Sequence, residues 1–402
     1  MHPDLQTTYL GVNFRNPFIL ASAPPTATAD MVRRAFEAGW GGAVIKTLSH
    51  EPVSNLPNRF ATIRNGSRII GFENLELLSE QGPDEWYRDI AIIKADFPHC
   101  PIIGSIMGST DSPEGWLSLA RGCQDAGVDL LELNFSCPHG YPDRGSGAAI
   151  GQNPEYAARI TNWLATCSEI TTPIIPKLTG AVADIRYIAE ELAQAGAHGF
   201  CAINTIPSFF GFDLTTLRPR PDIGGMTSYG GYSGPGIKPI ALRAVSEICN
   251  SPGLPVMACG GIANGFDAAE FMLLGAPVVQ VGTEVMLRGF GVIDRMRQDL
   301  LTFMEWHSFS SLTDFIGLCR DRVTSFEELS GRHLLLPRFL KNLCNNCGDC
   351  ITACRDGGYQ AISRNNGLPV IDPDACTGCS LCSHVCPTGA IGMEQQAPDR
   401  SV

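Results

Sequence analysis

Residues 174–205 read IIPKLTGAVADIRYIAEELAQAGAHGFCAINT. The first five, Ile174–Leu178, form a short apolar, β-branched run without polar alternation, as in a strand buried on both faces. Asp184–Ala195 has a helical period and runs into Ala195-Gly196, where glycine supplies the left-handed residue that ends a helix. Gly199–Thr205 is again strand-like. The same unit recurs along the chain. Further strand segments are Phe18–Ala23, Gly42–Thr47, Ile102–Met107, Leu130–Phe135, Pro255–Gly260 and Val278–Gly282, and helix-period stretches include Met31–Ala38, Trp116–Ala126 and Gly265–Leu274. Ala38-Gly39, Ala126-Gly127 and Leu274-Gly275 repeat the stop signal. Strand–helix alternation predicts a parallel sheet, and eight repeats within about 290 residues favour a closed (β/α)8 TIM barrel over an open, doubly wound α/β sheet.

Beyond the barrel lie a mostly helical stretch, Val292–Leu318, and a connector, Arg320–Asn342. Then the cysteines change character. The chain holds sixteen. Half are scattered between Cys100 and Cys319, as buried small apolar residues usually are. The rest form two quartets, Cys344, Cys347, Cys350, Cys354 and Cys376, Cys379, Cys382, Cys386, offset by 32 residues and each followed by Ala-Ile. C-x2-C-x2-C-x3-C written twice is the spacing of a two-cluster, bacterial-type ferredoxin, in which the fourth cysteine of each quartet ligates the other cluster. On that pattern one 4Fe–4S cluster takes Cys344, Cys347, Cys350 and Cys386, and the second takes Cys376, Cys379, Cys382 and Cys354. Pro387 follows the last cysteine as the pattern expects; Arg355 follows Cys354 instead. Structural zinc would want paired C-x2-C elements and has no use for the third cysteine of each triplet. The expected organisation is therefore a barrel over residues 1–300, a helical connector over 301–342, a small ferredoxin-like α+β domain over 343–393 and a disordered tail over 394–402.

A formal charge of −12 and the lack of any Lys/Arg-rich stretch argue against nucleic acid or an anionic membrane as partner. No apolar segment reaches the length of a membrane span. Met1-His2-Pro3-Asp4-Leu5 lacks a basic start followed by an apolar run, which predicts no secretory signal and a cytoplasmic location.

Two clusters move electrons singly, so the barrel should hold a group that exchanges both one and two. Flavin meets that requirement. Catalytic residues of such barrels sit at the C-terminal ends of strands. There stand Ser22, Lys46-Thr47, Asn134-Phe135-Ser136-Cys137, Lys177, Asn204-Thr205, Gly260-Gly261 and Gly282-Thr283. Glycines after strands seven and eight let bare backbone N–H groups approach a phosphate. Lysines at strand ends would put positive charge beside an anionic reduced flavin, the alternative being a side chain that reaches out to solvent. The carboxamides of Asn74, Asn134 and Asn204, with Thr205, match the alternating C=O and N–H edge of a cyclic imide. Cys137 opens a Gly- and Pro-rich stretch running to Gly147, a candidate lid. His139 within it reads equally as a loop-positioning or a structural residue.

These residues are familiar together. Asn134-Phe-Ser-Cys-Pro-His-Gly140, Ala202-Ile-Asn-Thr-Ile206, Tyr232-Ser-Gly234, Lys238-Pro-Ile-Ala-Leu-Arg243 and the double quartet resemble the dihydropyrimidine dehydrogenases, above all the bacterial FMN- and iron–sulfur-containing catalytic subunits of the NAD-dependent enzymes. The likeness runs from Asn16-Pro-Phe18 to the last cysteines, and the barrel also resembles the dihydroorotate dehydrogenases. The resemblance implies FMN held by Ser22, Lys46, Thr47, Asn134, Lys177, Gly234, Gly260, Gly261, Gly282 and Thr283. It implies a pyrimidine met by Asn74, Asn134, Ser136, Asn204 and Thr205, with Cys137 as general acid. The sequence does not contain the N-terminal domains that carry FAD and the nicotinamide site in the long single-chain members. An FAD-containing, NAD(P)H-oxidising partner subunit is therefore expected, in a hetero-oligomer containing a dimer of this chain. The competing expectations are a flavoenzyme acting on dihydroorotate and an electron-transfer subunit with an inactive barrel.

Overall fold

The computed structural model describes residues 4–135, 148–251, 253–329 and 335–395. The chain forms two compact units, Met1–Val323 and Thr324–Val402.

The first unit is a closed parallel barrel of eight strands in sequence order. They are β1 (Phe18–Leu20), β2 (Gly42–Val44), β3 (Ile102–Ile106), β4 (Leu130–Asn134), β5 (Ile174–Leu178), β6 (Phe200–Ala202), β7 (Val256–Cys259) and β8 (Val278–Val281). Each falls within its expected segment; Ile174–Leu178 keeps its bounds, and the other seven are shorter, chiefly at the C-terminal end where the chain turns into a loop. Eight outer helices follow: α1 (Ala29–Ala38), α2 (Pro83–Asp96), α3 (Glu114–Asp125), α4 (Pro154–Ala165), α5 (Ile185–Gln194), α6 (Lys238–Asn250), α7 (Gly265–Leu273) and α8 (Val292–His307). Asp184 caps α5 by accepting from the Tyr187 N–H, and Gly39 ends α1 in the left-handed region at φ 108°.

Alternation along the strands sorts two cores. Phe18, Leu20, Leu131 and Leu133 pack outward against the helices, while Ile19, Val44, Ile103, Leu130, Ile175 and Met257 belong to a separate apolar layer within the barrel. A small hairpin, Thr7–Tyr9 with Val12–Phe14, adds Tyr9 and Phe14 to that layer. The Tyr9 hydroxyl donates to the Phe200 carbonyl at 2.9 Å. Gly199 is obligatory beside it, because a Cβ there would lie 2.4 Å from that hydroxyl.

The strand reading did not anticipate a second sheet on the loops after β2 and β6. Its order is Ile206–Ser208, Gly230–Ser233, Arg68–Asn74, Phe60–Asn65, all antiparallel. Loops after parallel strands leave from the barrel's C-terminal rim, so this sheet carries Asn74 to the rim although Asn74 is far in sequence from any barrel strand end.

The stretch 301–342, expected as one helical connector, divides. α8 runs to His307, and Leu312 and Phe315 are buried in the barrel core. Leu335–Phe339 is instead a strand of the second unit, paired with Ile391–Gln395, and this pairing extends order two residues into the expected tail. A second hairpin, Ile362–Asn365 with Leu368–Ile371, and two short helices, Asp349–Gly357 and Leu381–His384, complete that unit. The Ala-Ile pairs after each quartet, Ala361-Ile362 and Ala390-Ile391, are buried in it. No helix among the described residues is long and apolar enough to cross a membrane.

Candidate active site

Two residues on from the apolar layer, the inward positions turn polar: Lys46, Ser105, Glu132, Lys177 and Gln280, with Cys259. Lys177 Nζ lies 3.4 Å from Glu132 Oε1 and donates to Gln280 Oε1 at 2.8 Å. Gln280 Nε2 donates to Glu132 Oε2 at 2.8 Å, and Ser105 Oγ to Glu132 Oε1 at 3.3 Å. Burial alone would lower the Lys177 pKa, but the Glu132 carboxylate outweighs it and holds the ammonium above its ordinary value. Lys177 is therefore charged at neutral pH, in a site where only 4% of its side chain meets solvent.

This layer floors a cavity of about 1030 Å³, partly open to solvent. All the described residues expected to meet flavin or substrate line it: Ser22, Lys46, Thr47, Asn74, Asn134, Lys177, Asn204, Thr205, Gly234, Gly260, Gly261, Gly282 and Thr283. Ser136, Cys137 and His139, with the expected lid, lie outside the described residues.

One side of the cavity is a hydroxyl–amide chain. Ser22 Oγ and Thr47 Oγ1 are 3.0 Å apart, Asn134 Nδ2 donates to Thr47 Oγ1 at 3.0 Å, and Asn204 Nδ2 donates to Asn134 Oδ1 at 3.4 Å. Asn204 Oδ1 accepts from the Thr205 N–H at 2.8 Å. Each amide is thus oriented by the next. Asn74 is fixed separately, donating to the Gly231 carbonyl at 3.1 Å. A Cβ on Gly231 would fall 2.3 Å from Thr205 Oγ1 and 3.3 Å from Asn74 Nδ2. Gly231→Ala is therefore expected to separate Thr205 from Asn74. The measured result should be a raised KM for the expected pyrimidine with flavin content unchanged.

Another part of the lining is glycine backbone. Gly234, Gly260 and Gly261 have φ of 85°, 124° and 79°, and Gly282-Thr283 opens a short helix. Among the described residues, the N–H groups of Gly261, Gly282 and Thr283 have no hydrogen-bond partner within the protein. Orphan donors converging at the ends of β7 and β8 form an anion cradle. A phosphate at the cradle, an aromatic ring over the charged floor and polar groups at the amide wall are what a flavin mononucleotide requires, so the residues fit it. A Cβ on Gly261 would lie 2.6 Å from the Lys238 backbone nitrogen. Lys238 is pinned by Asp267 at 2.7 Å and Glu270 at 2.5 Å, so it yields poorly. Gly261→Ala should weaken flavin retention by about tenfold or more, roughly 1.4 kcal/mol, read as flavin-to-protein absorbance after dialysis.

Glu76 was not foreseen. It is buried, lines the cavity, and meets Lys46 Nζ at 3.2 Å and the Arg59 guanidinium. Glu132 and Gln280 were also passed over.

In the second unit the quartets interleave. Cys344, Cys347, Cys350 and Cys386 line one cavity of about 390 Å³. Cys354, Cys376, Cys379 and Cys382 line another of about 300 Å³. Four thiols around each of two cavities are the donor set of 4Fe–4S clusters.

The model of the family described as dihydroorotate dehydrogenase matches residues 4–304. The chain belongs to the dihydroorotate dehydrogenase family. Residues 339–393 match the 4Fe–4S dicluster domain. The chain is 36% identical over 396 residues to the NAD-dependent dihydropyrimidine dehydrogenase subunit PreA of Escherichia coli, covering 97% of this chain and 95% of that protein. It is 36% identical over 344 residues to the chloroplastic dihydropyrimidine dehydrogenase (NADP(+)) of Arabidopsis thaliana, covering 82% and 80%. Identity is 37% over 314 residues to the catalytic subunit of dihydroorotate dehydrogenase B (NAD(+)) of Pyrococcus abyssi. That match covers 98% of the Pyrococcus protein but 78% of this chain. This family member is thus an oxidoreductase whose likeness to the dihydropyrimidine dehydrogenase subunit alone among these three spans nearly all of both chains.

Proposed function

We propose that the protein reduces the C5=C6 bond of uracil or thymine. Electrons would arrive through its two 4Fe–4S clusters from an FAD-containing, NAD(P)H-oxidising partner subunit, in an assembly containing a dimer of this chain. The observation that carries the reading is the convergence of Asn74, Asn134, Asn204 and Thr205 on a cavity whose lining also holds an anion cradle. FMN bound there supplies hydride chemistry and accepts electrons singly as well as in pairs.

The C5=C6 bond is conjugated with the C4 carbonyl, so C6 is the electrophilic carbon. As hydride adds at C6, charge builds on the C4 oxygen. The amides of Asn74, Asn134 and Asn204 hold the ring by its C=O and N–H edge and stabilise that charge. Cys137 holds a proton on Sγ and delivers it to C5, which completes the addition of two electrons and two protons' worth of hydrogen across the bond. Lys46 and Lys177, the cationic residues among the described lining, are each engaged with a carboxylate. Neither lysine is left without a carboxylate to take up that of orotate, which favours an uncharged pyrimidine over dihydroorotate chemistry.

The test is anaerobic. Dithionite-reduced protein mixed with uracil should regain oxidised-flavin absorbance and form dihydrouracil, and orotate should be a poor oxidant. A flavin-loaded protein that neither uracil nor thymine reoxidises would refute the proposal.

A further inference from the structure

The two cluster cavities are alike in their cysteines and both have apolar walls, Phe339, Ile351, Pro369 and Ile391 in the first, but they differ in their polar lining. Beside Cys344, Cys347, Cys350 and Cys386 stand Arg364, Asn346 and Thr388. Cys386 Sγ accepts from the Ala390 N–H at 3.2 Å and lies 3.7 Å from Thr388 Oγ1. The cavity of Cys354, Cys376, Cys379 and Cys382 is walled by Pro337, Ile362, Leu381 and Met393, with Ser380 as its polar side chain. Its thiols accept from two backbone donors among the described residues, the Gly378 N–H to Cys376 Sγ at 3.4 Å and the Ser383 N–H to Cys382, and from no polar side chain.

Arg364 reaches the first cavity for a steric reason. A Cβ on Gly348, between Cys347 and Cys350, would lie 2.6 Å from Arg364 Nη2. The bare glycine, at φ 89°, leaves room for the guanidinium against the ligand loop. Arg364 and Asp349, the carboxylate in that loop, are both exposed, but only Arg364 lines the cavity. Arg355, beside Cys354, is exposed and its guanidinium is tied to Asp356 at 2.7 Å.

We infer that the clusters have unequal reduction potentials, the one held by Cys344, Cys347, Cys350 and Cys386 being reduced first, with Arg364 as the side chain that tunes it. The inference rests on the proposed occupancy of both cavities by 4Fe–4S clusters. A reduced cluster carries one more negative charge than an oxidised one. A neighbouring guanidinium and hydrogen bonds to the sulfurs stabilise that charge, whereas apolar walls do not. At half reduction the first electron resides on the Arg364 side.

The experiment is an EPR-monitored redox titration of the intact, cluster-loaded chain and its Arg364→Gln, Arg364→Lys and Arg355→Gln variants, with iron and acid-labile sulfide measured on each. Two separate one-electron waves are expected. Arg364→Gln should move the upper wave to lower potential, by up to about tenfold in the reduction equilibrium or about 59 mV, and leave the lower wave in place. Arg364→Lys should keep most of the upper potential, and Arg355→Gln should move neither wave. Coincident waves, or an Arg364→Gln shift in the lower wave or in none, would overturn the inference while leaving the clusters established. A protein without about eight irons per chain would instead overturn the cluster assignment beneath it.

Discussion

Lys177→Met is expected to destabilise the barrel by about 3–5 kcal/mol, the cost of leaving one partner of a buried ion pair behind. Glu132 has no exposed side-chain surface, and without Lys177 it keeps Gln280 at 2.8 Å, Ser105 at 3.3 Å and the Cys201 thiol as donors. Neutral donors cannot replace a full positive charge. The remaining carboxylate must either stay ionised in apolar surroundings or take up a proton. The double variant Lys177→Met, Glu132→Gln removes both charges and should recover most of the loss, because breaking a buried pair is costly where deleting it is often near neutral. Urea denaturation of the flavin-depleted full chain, followed by tryptophan fluorescence, separates the two. A single variant within about 1 kcal/mol of the parent would mean that the pair is solvated in a way its burial does not suggest. The double variant should still bind a reduced flavin poorly, since of the two ammonium groups in the floor only Lys46, paired with Glu76, remains. Stability and flavin affinity thus part company in this one comparison.

The same network shows where reading the sequence ran out. The barrel was legible because a strand buried on both faces is a mostly apolar run, and all eight appear as such. Glu132 in Leu130-Leu-Glu-Leu-Asn134 and Gln280 in Val278-Val-Gln-Val281 are visible as polar letters inside those runs. Their purpose is not visible, because the partners sit on β4, β5 and β8, and only barrel closure brings β8 round toward the earlier strands. The rim sheet was missed for a different reason. Phe60–Asn65 is largely exposed and mixes apolar with polar residues, so it gives no buried-strand signal. Its one clear mark is Asn65-Gly66, a hairpin turn signal, with Gly66 at φ 59°. Reading that turn would have placed Arg68–Asn74 as a strand and brought Asn74 and Glu76 to the rim. The cysteine quartets needed no such help, since iron chemistry dictates the spacing and three of each cluster's four ligands lie within a few residues of one another.

Cys137→Ala is expected to lower uracil-dependent turnover by about 10²–10⁴-fold, the usual worth of a positioned general acid. Cys137 lies outside the described residues, and the argument for it is chemical. Hydride addition at C6 leaves an enolate that must be protonated at C5. Among the described residues lining the cavity, the lysines are tied to carboxylates and Glu76 is tied to Lys46 and Arg59. Cys259 sits among the floor residues, where burial pushes its thiol above the ordinary range, with Lys177 opposing. Cys137 follows Asn134 by three residues in the sequence, and a free thiol is protonated at neutral pH. The acid form is the one the reduction uses, so turnover should fall as rising pH removes the thiol proton. The variant should lose this pH limb together with its rate. Flavin reduction through the clusters should be unchanged, because electrons reach the barrel without a proton from Cys137. Stopped-flow measurement of both half-reactions decides it: a variant slow in both has lost its fold or flavin, and one fast in both would show that another group protonates C5.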